Sequence, residues 1–190
     1  MARVTPLEDA DAGLVVRCRL GDEEAFDALV RKHQLRAFNV AYQLLRNHED
    51  ATEVAQDAFV SVYRNIAQFR EDCEFTTWLH QIVVNLARNK HRWWKRRGRQ
   101  QAVALDDPLA SQIAGPAVTP DVEAEQSEFS RRLMKKMGEL PREFREVLVL
   151  RNIENMSYHQ MAVALECPVG TIKSRLARAR EELRERMNHE

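Results

Sequence analysis

The stretch that most restricts what this chain can fold into lies near its end, from Ser157 to Glu182, SYHQMAVALECPVGTIKSRLARAREE. Met161, Ala162 and Leu165 recur at helical spacing, so its first half reads as a short helix. Glu166-Cys167-Pro168 breaks the pattern, and Pro168 suits the first turn of a new helix, where its missing N–H is no loss. In that second helix Val169, Ile172, Leu176 and Leu183 fall on one face at about 100° per residue. Gly170, Thr171, Ser174 and Arg178 fall on the other, flanked by Lys173 and Arg175. A recognition helix in the DNA major groove needs such an aliphatic side to pack and such a small, hydrogen-bonding, cationic side to show. A surface helical hairpin with merely solvated charges fits the same pattern less specifically.

The rest of the chain has to fit around that hairpin. At 190 residues there is room for one mid-sized domain or two small ones. A hydrophobic content of 44% supports packed cores, while 7% aromatic residues and 6 Gly argue against a β-rich fold. Lys+Arg and Asp+Glu both total 29, so net charge gives no hint of nucleic acid, and the distribution along the chain matters more. Cys18, Cys73 and Cys167 are dispersed and odd in number, which supports neither a disulfide framework nor a zinc site and predicts reduced thiols. The start, MARVTPLEDADAG, is polar and acidic, unlike a signal peptide. No apolar run approaches the roughly 20 residues of a membrane span. A soluble cytoplasmic protein is expected.

In chain order, Asp11 to Gly21 predicts a short helix with Leu14, Val15 and Cys18 on one side. Asp22 then caps a longer helix whose stripe is Ala25, Phe26, Leu29, Val30, His33, Ala37, Val40, Ala41 and Leu44. His33 within that stripe reads as a structural histidine. A third helix opens at Asn47 or His48 and buries Ala51, Val54, Ala55, Ala58, Phe59, Val62 and Ile66. Asp50, Glu53 and Asp57, with Gln56 alongside, sit roughly 140° from that face. They suit either ordinary stabilisation of a helix N-terminus or a docking ridge for a basic partner.

After a polar loop from Phe69 to Glu74, Thr76 or Thr77 is a candidate cap for a fourth helix. Trp78, Leu79, Ile82, Val83 and Leu86 would pack inward. From Arg88 to Arg99 seven Lys and Arg residues occur without one acid, interrupted by Trp93 and Trp94. Cations beside flat rings suit a nucleic-acid strand, because phosphates need charge and unstacked bases need surfaces. The character then changes. Gln100 to Ser130 holds no Lys or Arg, while acids, Pro108, Gly115, Pro116 and Pro120 accumulate, so an acidic linker is expected over 100–126 between domains at 1–99 and 127–190. Beyond it Phe129, Leu133, Met137 and Leu140 make a stripe. Pro141 starts a helix buried through Phe144, Val147, Leu148 and Leu150. The expected fold is all-α, two small helical domains with the helix-turn-helix in the second.

The sequence holds no Gly-rich phosphate loop, HExxH, GxSxG or Cys/His nucleophile pair, so an enzyme with a small-molecule substrate has little support, and no cofactor or metal is expected. Two blocks together resemble one family. HEDATEVAQDAFVSVYRNI with the segment through KHRWWKRR resembles the second conserved region of bacterial RNA polymerase sigma factors of the extracytoplasmic-function (ECF) type. ELPREFREVLVLRNIENMSYHQMAVALECPVGTIKSRLARAREEL resembles their fourth, and no space remains for the third domain of larger sigma factors.

The resemblance implies roles. Asp50, Glu53, Gln56 and Asp57 match a DxxDxxQE-type stretch that docks on the clamp helices of core RNA polymerase, with Glu53 and Asp57 exchanging one acid for another. Phe75, Asn85, Arg88, Lys90, Arg92, Lys95, Arg96 and Arg97 fall where the minus-ten promoter element is captured and opened. Extruding a base costs a few kcal/mol that a pocket must offset. Lys173, Ser174, Arg175 and Arg178 match the reader of the minus-thirty-five element, with Thr171 nearer phosphate. The acidic linker resembles a segment that threads the RNA-exit path. An anti-sigma factor, often membrane-anchored, is the implied regulator. The competing class is a stand-alone helix-turn-helix transcriptional regulator with a sensing N-terminal domain, which leaves the acidic ridge and the tryptophan-bearing basic cluster unexplained.

Overall fold

The computed structural model describes residues 10–98 and 120–188, with side chains of the second stretch from Glu128 onward. Its first group of helices is α1 (Ala12–Arg19), α2 (Glu23–Leu45), α3 (His48–Asn65) and α4 (Phe75–Arg96), with a 3-10 turn at Ile66–Gln68. The second group is α5 (Pro120–Glu139), α6 (Arg142–Leu148), α7 (Tyr158–Leu165) and α8 (Val169–Asn188), α6 running on into a π-type turn at Val149–Ile153. Among the described residues the fold is all-helical, and no helix is long and apolar enough to cross a membrane.

Local chemistry sets the helix ends. The Ala25 N–H donates to Asp22 Oδ1 at 3.1 Å, closing the start of α2, and the Asp50 N–H donates to Asn47 Oδ1 at 2.9 Å at the start of α3. Neither Thr76 nor Thr77 caps α4. The helix begins at Phe75, Glu74 takes the cap position without a capping bond, and Thr77 is buried. Ser157 and Gln160 form the reciprocal capping box of α7. α7 closes at Glu166 in the left-handed region (φ 53°), which makes the tight turn to Pro168 and α8.

The apolar stripes of α2, α3 and α4 meet in one core. Leu29, Val40, Leu45, Ala58, Val62, Leu79 and Val83 are essentially inaccessible. His33 is buried in it and lies 2.8 Å from Asp11, a structural arrangement. Phe69 stacks on Trp78 at 4.7 Å between ring centroids, with Phe75 edge-on to both. The second core gathers Val147, Leu148, Leu150, Met161, Leu165, Ile172 and Leu176. Phe129 departs from its expected stripe and is 58% exposed. The helix α5 starts at Pro120, inside the segment expected to be linker. The rest of that segment lies outside the described residues.

The two groups touch. α4 lies along α7, the two cores run together in one buried apolar cluster, and polar side chains also cross between the groups.

Candidate nucleic-acid interface

α8 presents its reading face outward. Ile172, Leu176 and Ala179 anchor it to the second core, leaving Gly170, Lys173, Ser174 and Arg178 exposed. Thr171 is half-buried in the first turn. Arg175 is half-buried as well, its guanidinium 3.7 Å from Glu143 and in contact with Cys167 Sγ at 4.0 Å. Lys173 sits 5.9 Å from the Tyr158 ring centroid. The exposed cationic and hydroxyl groups therefore cluster at the N-terminal half of α8, the end a recognition helix pushes into the groove, with the Ser174 hydroxyl donating to the Thr171 carbonyl at 3.0 Å.

The basic segment of α4 is not uniform. Lys95, Arg96 and Arg97 are exposed at its last turn, as is Arg92, which donates to Asn89. Trp93 is half-buried and clamped between Lys90 and Arg97, whose cationic groups lie 5.6 and 4.5 Å from its ring centroid. Trp94 is buried, so only one of the adjacent indoles offers a face. Phe75 is fully buried among Phe69, Trp78 and His33. Its ring packs the core, away from the exposed surface where contact with unwound DNA was expected.

Arg88 and Asn85 lie on the side of α4 that faces the second group. Arg88 is bidentate to Glu146, Nε to Oε1 at 2.9 Å and Nη2 to Oε2 at 2.7 Å, and its Nη1 lies 3.4 Å from Asn85 Oδ1. That carboxylate raises the Arg88 pKa, outweighing the opposing effect of burial.

The ridge on α3 also divides. Asp50 is 6% exposed and pairs with Lys90 Nζ at 2.9 Å, and the same ammonium reaches Glu53 at 2.6 Å. Burial works against the Lys90 charge, and the two carboxylates more than compensate, raising its pKa. Asp50 is thus a brace between α3 and α4, not an open ridge residue. Gln56 and Asp57 are exposed. Gln56 lines an open apolar groove between α2 and α3 with Phe26, Phe38, Phe59, Val60 and Tyr63.

Residues 29–100 match the family Sigma-70 region 2 and residues 130–183 match Sigma-70, region 4. The chain is 35% identical over 179 residues to the RNA polymerase sigma-H factor of Pseudomonas aeruginosa, with 92% of each chain aligned. This chain belongs to the ECF sigma factors. It is 32% identical to the ECF RNA polymerase sigma-E factor of Escherichia coli K12, over 90% of this chain and 91% of that one. Among solved structures, CnrH in complex with the cytosolic domain of CnrY superposes with a TM-score of 0.69 at 25% identity, covering 95% of this chain and 98% of that one. The sigma factor RpoE bound to the anti-sigma factor NepR, from Bartonella quintana, superposes with a TM-score of 0.61 at 23% identity, covering 87% and 98%. As a sigma factor the chain directs core RNA polymerase to promoters for transcription initiation.

Side chains that the sequence pattern alone passed over hold the two groups together. Arg145 is buried and pairs with no carboxylate among the described residues. It donates instead to the carbonyls of Leu44 (2.7 Å), Met137 (3.3 Å), Leu140 (3.2 Å) and Gly138, at the C-terminal ends of α2 and α5. The negative ends of two helix dipoles stand in for a counter-ion. Burial lowers the Arg145 pKa to about 10, with Arg46 nearby adding to the effect. Glu154 is buried against His80 Nε2 (3.2 Å) and Arg36. Burial raises its pKa, yet His80 and Arg36 prevail and hold it below the usual value. The signal available in the sequence was Arg145-Glu146 directly before the apolar run Val147-Leu148-Val149-Leu150.

Proposed function

We propose that the sigma factor docks on core polymerase through Gln56, Asp57 and the neighbouring α2–α3 groove. Glu53 lies at the margin, and Asp50 is braced behind it. Asn85, Arg88 and the exposed Arg92, Lys95, Arg96 and Arg97 hold the opened minus-ten strand and its phosphates. Thr171, Lys173, Ser174, Arg175 and Arg178 read the minus-thirty-five duplex. The domain limits that fit these roles are 1–99 and 127–190 with a linker of 100–126, and the site of action is the cytoplasm. An anti-sigma factor, in keeping with the complexes found among solved relatives, covers the exposed apolar groove and holds the factor inactive.

The observation that carries this reading is the coexistence of three surfaces of different chemistry on one chain. A stand-alone regulator needs the polar face of α8, but neither Trp93 between two cations nor an acidic edge beside an apolar groove. The test is core binding by an Asp57→Lys variant. It is expected to bind core polymerase at least tenfold more weakly while keeping the helicity of the parent chain. Unchanged core affinity would remove α3 from the docking role.

A further inference from the structure

We propose that the open cleft between the last turns of α4 and the start of α6 is a binding site for a small polyphosphate anion. The site goes beyond the strand-holding role of Arg92 and Lys95, because it also takes Arg142 from the second helix group.

The cleft has a volume of about 490 Å³ and is lined by His91, Arg92, Trp94 and Lys95 of α4 with Arg142 and Glu143 of α6. Arg92, Lys95 and Arg142 are exposed, so three permanent cations from two helices share one space. Arg92 donates to Asn89, and neither it nor Lys95 pairs with a carboxylate among the described residues. The nearby acids are committed elsewhere. Glu143 lies 3.7 Å from Arg175, and Glu146 holds Arg88 with both oxygens. Glu146 Oε1 also lies 3.3 Å from Arg142 Nε, the one acid shared with the cleft cations.

More positive charge lies against the cleft wall. Buried Arg145 and His91 share the Leu44 carbonyl, at 2.7 and 3.2 Å, and Arg145 feels Arg46 as well. The His91 ring records the excess. Burial lowers its pKa, and the Arg145 and Arg142 charges lower it further against the opposing bond to Leu44. Crowded like charges raise the energy of the empty cleft, and an anion placed among them relieves it. Guanidinium forks match phosphate oxygens two at a time. Arg92 and Lys95 stand on one wall and Arg142 on the other, so two linked phosphates can engage both walls where a single phosphate engages one. The volume is that of a small-molecule site. Bound there, the anion ties α6 to α4 and takes Arg92 and Lys95, so it and a promoter strand exclude one another.

Calorimetric titration of the full chain with inorganic pyrophosphate, without DNA or core polymerase, tests this. One saturable site per chain is expected, at least about tenfold tighter than for orthophosphate at the same ionic strength. Arg142→Gln is expected to weaken pyrophosphate binding by at least about tenfold at unchanged helicity, and Lys95→Gln, on the opposite wall, to weaken it too. Arg31→Gln loses the same charge from the exposed surface of α2 and should leave affinity within about twofold. ADP in place of pyrophosphate separates the two sources of this chemistry. Tighter binding marks the phosphate tail of a nucleotide, and equal or weaker binding marks the free inorganic anion. No saturable heat with either, an affinity matched by orthophosphate, or losses no larger in Arg142→Gln than in Arg31→Gln would overturn the site. Since no DNA is present, failure of the strand-holding role of Arg92 and Lys95 would leave the titration unchanged.

Discussion

At the scale of single residues, the acidic positions of α3 show what spacing can and cannot reveal. The wheel placed Asp50, Glu53 and Asp57 together on a polar face, and they do lie on one side of α3. Whether each is open depended on Lys90, 37 positions beyond Glu53 and on another helix. No local pattern contains that pairing. Lys90→Met keeps the stem and removes the charge, leaving the Asp50 carboxylate buried without its ammonium. A loss of about 2 kcal/mol in unfolding free energy is expected by urea titration. A loss below about 0.5 kcal/mol would mean that Asp50 is satisfied without Lys90. His91 supplies a pH signature. Burial lowers its pKa, outweighing its bond to the Leu44 carbonyl, and Arg145 and Arg142 act in the same direction as burial. His33 is lowered too, by burial that outweighs Asp11. Above the unfolded value of 6.5 both states are neutral and these groups are silent. As pH falls below it the unfolded chain takes up protons that the folded chain refuses, so stability declines until the folded pKa values are passed. Urea midpoints measured at about pH 7.5 and pH 5.5 should fall for the parent and fall less for His91→Gln. Equal declines would remove His91 from the effect.

At the scale of elements, the helices were legible because each buries a stripe, and the apolar residues recur at the helical period. A cap was legible at Asp22, where the side chain meets a backbone three residues on, while those of Asn47 and Ser157 emerge only in the structure. The start of α4 was misplaced because Glu74 makes no capping bond, and the threonines after it therefore looked like better candidates. The burial of Phe75 was not legible for a related reason. An aromatic beside a basic segment looks the same in sequence whether its ring faces a base or the core, and here Phe69 and Trp78 take it inward. Ser157→Ala removes one half of the capping box that starts the helix-turn-helix. It is expected to cost about 1 kcal/mol, seen as a lower Tm for the second domain. An unchanged Tm would show that packing of Met161 and Leu165 alone fixes α7.

At the scale of the whole molecule, the fold class and the order of the two domains could be read directly, because both follow from composition and periodicity. Their mutual contact could not. It depends on Glu146, Glu154 and Arg145, ionisable residues on buried faces whose partners come from the other domain. The central claim is that the N-terminal domain holds polymerase and opens DNA while α8 selects the upstream element. Run-off transcription with core polymerase on a promoter library, comparing the parent with Arg178→Ala, tests it most directly. Transcription should require core, and the variant should lose discrimination at the upstream element alone, by about 1–3 kcal/mol or roughly ten- to a hundredfold. Tight binding of promoter duplex by the isolated chain with no gain from core, or an upstream preference untouched by Arg178→Ala, would contradict the account.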